Sequence, residues 1–356
     1  MKFIHTGDIH LGLCPDPGMP WSRSRTEAVS RALETVVRTA AEKKADLLLI
    51  AGDLFDAQPL RRDLEKAAAV FRSVPDMKIA LCAGESDCLR ESSAALTFRF
   101  PENVRFLSGE TPSTVEFPEI GTEVTGFSYH AGTIRENLLS GIRAPEDGKI
   151  HLLMAHGGDA SHVPFLPADL RNSGFTYCAL AHDHRPHIVI PGLAAFCGSP
   201  EPLSFRETGE HGCYFGEVDD LTRSLRSLEF LPLATSRCIS LLVSVTPETT
   251  NTGLLLDLSR QINARGTENI YVIKIRGRRD PALRFDLASL KNRFRIAGIL
   301  DESVPDYDYP RLFAEHSSDI VGFYIRELDR PDASELERKA LSAGIDALLR
   351  TEDERS

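Results

Sequence analysis

Four short segments carry aspartate and histidine at spacings suited to holding metal: Asp8-Ile9-His10, Gly52-Asp53-Leu54-Phe55-Asp56, His156, and His182-Asp183-His184. On extended backbone, residues two apart project to the same side, so both ends of an Asp-x-His or His-x-His can face one ion. A donor set that mixes imidazole with carboxylate suits manganese, iron or zinc better than magnesium or calcium. Any one segment is compatible with a capping or surface role. The ordered set of four points to a cation centre.

Such side chains need rigid elements behind them. Residues 2–6 and 46–51 are short apolar runs ending in Gly7-Asp8 and Gly52-Asp53, which predicts buried strands with carboxylates at their C-terminal ends. Between them Ala28, Val29, Ala32, Leu33, Val36, Val37 and Ala40 recur at helical spacing, so the crossover is an amphipathic helix. Residues 60–74 repeat the helical pattern and 78–82 the strand. In sheets of this kind ligands gather beyond the carboxyl ends of the strands. Further strands are expected at 104–107, 124–129, 151–155, 176–181, 187–190 and 212–218. The architecture expected is mixed α/β (α+β), with two packed sheets and helices outside them. Near Arg237 a small α/β module begins (strand 239–245, helix 254–264, strand 270–275), and after Pro331 the residues Leu336, Ala340, Leu341, Ile345, Leu348 and Leu349 fall on one helical face before a charged tail.

In its motifs the chain resembles the calcineurin-like metallophosphoesterases, and among them the DNA exonuclease subunits of the SbcD and YhaO type. The resemblance runs through residues 1–12, 51–56, 177–184 and 198–205. It implies a β-sandwich flanked by helices at 1–236, a capping module at 237–330 with a possible DNA contact, and a terminal helix and tail at 331–356. It also implies two divalent ions, manganese first, with iron or zinc as alternatives. Asp8, His10, Asp53 and His184 would hold one ion, and Asp53 would bridge to a second held by His156 and His182. Two cations roughly 3.5 to 4 Å apart can hold a hydroxide between them and clamp a phosphodiester. The activity implied is DNA phosphodiester hydrolysis of the exonuclease type. The partners implied are DNA, an SMC-like coiled-coil ATPase subunit and, as an open alternative, a second copy of the chain.

One motif departs from the family. Where the family has Gly-Asn-His-Asp, this chain has Gly84-Glu85-Ser86-Asp87. Glu85 can still offer an oxygen to the second ion. With Asp8 and Asp53, however, it sets three negative charges against the four positive charges of two divalent ions. Ser86 cannot act as an imidazole, and losing a positioned acid or base costs ~10²- to 10⁴-fold. Asp87, which in the family helps orient that imidazole, is left to bond Ser86 or a water. Weakened hydrolysis is therefore expected. One alternative is a non-catalytic metal- and DNA-end-binding scaffold for the ATPase; another is a small-molecule phosphodiesterase.

The rest of the sequence narrows these readings. The 356 residues are 42% hydrophobic and 26% charged, ordinary globular values. No apolar run is long enough to span a bilayer and the N-terminus has no signal-peptide core, so a cytoplasmic location is expected. Seven scattered cysteines without Cys-x-x-Cys spacing read as reduced, mostly buried thiols. The net charge of -11 disfavours nonspecific attraction to nucleic acid, so any contact with a polyanion must be local. Lys274, Arg276, Arg278 and Arg279 open a stretch to Arg295 with eight basic and two acidic residues, the candidate phosphate contact. The apolar face around Leu341, Ile345 and Leu348 is equally suited to docking on a partner or packing on its own chain. His5, His130, His151 and His187 read as structural or surface histidines, and the loop 14–21 as a packed anchor.

Overall fold

The computed structural model describes residues 1–353. The chain divides into two compact units, Met1–Cys238 and a second beginning at Ile239. In the first unit, β1 (Lys2–Thr6), β2 (Leu47–Ala51), β3 (Lys78–Cys82) and β4 (Val104–Phe106) run parallel in one sheet. A second sheet holds β5 (Ser113–Phe117), β6 (Thr122–Gly126), β7 (Ile150–His156), β8 (Tyr177–Ala181), β9 (His187–Ile190) and β10 (Ala194–Phe196). The chain then returns to the first sheet with β11 (Gly212–Val218), antiparallel to β1, and the edge strand β12 (Leu225–Pro232).

Side-chain alternation explains why the strands read as unbroken apolar runs. Leu47, Leu49 and Ala51 of β2 point between the sheets, where they meet Leu152 and Met154 of β7 and Tyr177 and Ala179 of β8. Leu48 and Ile50 point outward, under the helices α1 (Ser22–Glu42) and α2 (Arg61–Arg72). Both faces are covered, so neither can be polar. Helix α1 buries Val29, Ala32, Leu33, Val36, Val37 and Ala40 on one stripe. Beyond it Lys44 turns left-handed (φ 54°), and the chain re-enters the sheet as β2. The short helices α3 (Ala94–Thr97) and α4 (Pro167–Arg171) lie in the connections.

Strands β1, β2 and β3 are parallel, as are β6, β7 and β8, so each set presents its carboxyl ends at one rim of its sheet. The metal-ligand candidates stand at those ends.

In the second unit, β13 (Cys238–Val245), β14 (Ile270–Arg279), β15 (Arg295–Asp301) and β16 (Val304–Pro305) form a sheet with α5 (Asn251–Arg265) and α6 (Ala288–Lys291). Leu254, Leu258 and Ile262 of α5 pack on Leu241, Val243, Ile273 and Ile275. The strand expected at 270–275 runs on to Arg279 because its last residues pair with β16. Helices α7 (Tyr309–Glu315), α8 (Ile320–Leu328) and α9 (Glu335–Asp353) share one apolar cluster, in which Leu341 and Ile345 are buried against Val321 and Ile325. The break expected at 330/331 falls inside this cluster, and the face open to two readings in the sequence packs on its own chain. The tail beyond 353 lies outside the described residues.

Candidate metal centre

The loops after the strands are held in unusual backbone conformations. Asp8, His10 and Asp53 have φ near +48°, and His182 has φ 104°. Such conformations cost on the order of 1–3 kcal/mol each and persist only where surrounding contacts enforce them. Here the amides of Asp8 and His10 bond the carbonyls of Gly52 and Asp53 at 3.1 and 3.0 Å, lacing the first loop to the second. Two glycines make room for these side chains. A Cβ on Gly52 would lie 2.4 Å from His156 Nδ1, and one on Gly84 would lie 2.2 Å from Asp53 Oδ1.

Segments far apart in sequence thereby converge. Asp8, His10 and His184 form one group whose donor atoms lie within 4.8 Å of one another, and Glu85, His156 and His182 form another. Asp53 stands between them, with Oδ2 3.5 Å from His10 Nε2 and 3.8 Å from His156 Nε2. One carboxylate oxygen thus faces both groups, as a bridge requires.

The donor atoms fit cations. His10 Nε2, His156 Nε2 and Glu85 Oε2 are buried without a hydrogen-bond partner. The last two approach each other closely but without hydrogen-bond alignment. The opposite ring nitrogens are taken: His10 Nδ1 by Asp56 (3.1 Å), His184 Nδ1 by Glu207 (2.9 Å) and His156 Nδ1 by the Ala51 carbonyl (2.9 Å). Each imidazole is thus oriented from behind, leaving Nε2 toward the centre. His182 reaches Glu85 through Nδ1 (2.8 Å) and Asp159 through Nε2 (2.9 Å). Burial pushes the Asp8 carboxyl up, and the negative charge of Asp53 adds to this against the nearby imidazoles. Burial opposes charge on His184, but Glu207 and Asp8 outweigh it and carry the imidazole up to about 9.

The Gly84–Asp87 loop is arranged differently from the sequence expectation. The Ser86 amide and hydroxyl both donate to Asp53, at 2.9 Å to Oδ1 and 2.7 Å to Oδ2. Asp87 bonds neither Ser86 nor an imidazole. Its oxygens accept from the Gly84 and Phe55 amides at 2.8 and 3.2 Å, so it builds the loop.

Among the proposed phosphate contacts, Arg276 pairs with Glu302 (2.8 Å) and Arg278 with Asp306 (2.6 Å). Arg279 is buried and donates to the carbonyls of Asp280, Pro281 and Leu283, which removes it from the candidate contact surface. Lys274 is half-buried. The four histidines read as structural or surface residues are engaged elsewhere. His5 bonds the Tyr177 hydroxyl, His130 the Ser108 carbonyl and His151 the Asp147 carboxylate, while His187 stacks on Phe196. Trp21 bonds Asp16, anchoring the 14–21 loop.

Glu207 and Asp159 could not be recognised in the sequence as partners of the candidate imidazoles His184 and His182. Neither shares a segment with the imidazole it supports, so spacing carried no signal for them. Asp56 closes a segment already singled out, and it stands behind His10.

The family model for calcineurin-like phosphoesterases matches residues 1–186, and the chain belongs to that family. It is 29% identical to the Bacillus subtilis (strain 168) protein named "Uncharacterized metallophosphoesterase YhaO", over 61% of this chain and 57% of that one. It is 31% identical to the DNA double-strand break repair protein Mre11 of Aeropyrum pernix, covering 59% and 56% of the two chains. To the Mre11 of Archaeoglobus fulgidus it is 38% identical, covering 61% and 54%. The chain thus spans little more than half the length of these relatives.

Proposed function

We propose that the chain is a divalent-metal-dependent phosphodiesterase acting on DNA, of the SbcD and YhaO exonuclease type, with hydrolysis weakened at position 86. The observation that carries this reading is the pair of donor groups sharing Asp53 at the rims of two sheets. Asp8, His10 and His184 would hold one cation, and Glu85, His156 and His182 the other. Manganese suits the mixed donors, as do iron and zinc. Two divalent cations supply Lewis-acid charge on which a phosphodiester can be clamped.

The chain's own residues set how well that charge is used. Asp53 holds the two groups in register, and Ser86 holds Asp53. Glu85 puts a third carboxylate beside Asp8 and Asp53, which lowers the attraction for an anionic diester. Ser86 supplies a hydroxyl already donated to Asp53 where an acid or base would act. Lys274, Arg276 and Arg278 are the proposed contacts to DNA phosphates. The names of the Mre11 relatives support a DNA substrate, and the family resemblance supports an SMC-like ATPase as partner. Because Leu341 and Ile345 are buried, such docking would use the exposed Ile320, Phe323 and Leu336.

The Ser86 hydrogen bond favours a second reading, a metal- and DNA-end-binding scaffold without hydrolysis. A manganese-dependent assay on single- and double-stranded DNA decides between them, run beside bis-p-nitrophenyl phosphate and a no-metal control. Cleavage of DNA supports the first reading. Metal and DNA binding without cleavage of either substrate supports the scaffold, and cleavage of the small diester alone defeats both.

A further inference from the structure

His182 is braced differently from the other imidazoles of the centre. His10 and His184 lean on Asp56 and Glu207, and His156 on a strand carbonyl. The brace of His182 is Asp159, whose side chain is 52% exposed, on the loop after β7. This carboxylate is itself held. The amides of Ser161 and His162 donate to Oδ1 at 2.7 and 3.0 Å, and His162 Nδ1 lies 2.9 and 3.0 Å from the two oxygens. The His162 ring stands 4.5 Å from that of His182, centroid to centroid. The turn that folds this loop back depends on Gly157 (φ 136°), where a Cβ would meet the His162 carbonyl at 2.5 Å.

A neutral imidazole carries one proton, so whichever nitrogen donates leaves the other free to ligate. We propose that Asp159 is the positioning residue of the second cation group: it accepts a hydrogen bond from Nε2–H of His182, turning Nδ1 toward Glu85 and the cation, while His162 fixes its rotamer. The inference rests on the two-cation reading of the centre. It implies an asymmetry in which the second cation depends on a surface loop that leaves the first untouched.

The test is calorimetric titration of the metal-free full chain with manganese chloride. His156→Ala, which removes a second-group donor, identifies the binding step that belongs to that group. Asp159→Asn should weaken this step roughly 10- to 100-fold, the usual effect of removing a partner behind a ligand, and leave the other step in place. Glu207→Gln should do the reverse, and Asp159→Glu should restore part of the loss. If the wild type takes up two ions and Asp159→Asn changes neither step, or weakens both alike, the positioning role is overturned while the two-cation reading stands. A third ion lost with Asp159 would make it a ligand and overturn the role in another way. Uptake of a single ion by the wild type defeats the two-cation reading, and this inference with it.

Discussion

At Asp53 one carboxylate faces two donor groups and accepts two hydrogen bonds from Ser86. Asp53→Ala should therefore lower manganese stoichiometry below two per chain by elemental analysis, and an unchanged count would show that Asp53 is not a bridge. Position 86 should limit rate more than metal uptake. Exchanging Glu85→Asn and Ser86→His together should raise manganese-dependent hydrolysis of bis-p-nitrophenyl phosphate by an order of magnitude or more. A wild type already as fast as the double variant would mean that another group fills the role. Another buried residue, His5, contributes to the loss of stability in acid. Burial drives the His5 imidazole down to about 3, with the backbone at Leu180 opposing only in part. An unfolded histidine titrates near 6.5, so the neutral buried form contributes stability that is complete above that value and is lost as pH falls from about 6.5 toward 3. Between pH 7 and pH 5 the wild type should lose about 2 kcal/mol relative to His5→Gln in urea unfolding. A pH-independent difference between the two would refute this.

Among the elements, the glycine after β3 offers a sharp test, because an added methyl group at Gly84 would collide with the Asp53 carboxylate. Gly84→Ala should abolish tight manganese binding while circular dichroism stays native, since the strand before it is untouched. The expected strands and helix crossover around Asp8 and Asp53 were legible because β1, β2 and α1 are buried in regular patterns. Strands β5 and β12 were not expected. They are edge strands with mixed, partly exposed faces, and residues such as Glu116, Arg226 and Glu229 break the apolar signal. Helices α7 and α8 were hidden for a related reason: short helices bury little and owe their position to α9. At the candidate centre, which imidazoles and carboxylates would converge could be read from Asp-x-His and His-x-His spacing. The hydroxyl of Ser86 on Asp53, the Asp87 bonds to main-chain amides and the brace of His182 could not, because they depend on how loops from different strands meet.

For the molecule as a whole, the charge of -11 is unevenly distributed, and the basic stretch of the second unit is partly neutralised by Glu302 and Asp306. On the proposed reading, DNA would compete with those partners. Replacing Arg276 and Arg278 by Ala should weaken duplex binding regardless of sequence and reduce the slope of log K against log salt by roughly one unit per lost phosphate contact. Unchanged affinity and slope would leave the two arginines as partners of their own carboxylates alone. The wide sequence separation of the ligands also has a consequence for synthesis. Domains form N-terminal first as a chain emerges from the ribosome. The first donor group needs His184 beside Asp8 and His10, the second needs His182 beside Glu85 and His156, and β1 acquires its partner β11 only at Gly212–Val218. A nascent chain that ends before residue 182 lacks one imidazole of each group. Completion of both groups therefore belongs to the late stage of translation, and ribosome-bound chains stalled before residue 182 should retain less manganese than chains carried past residue 218.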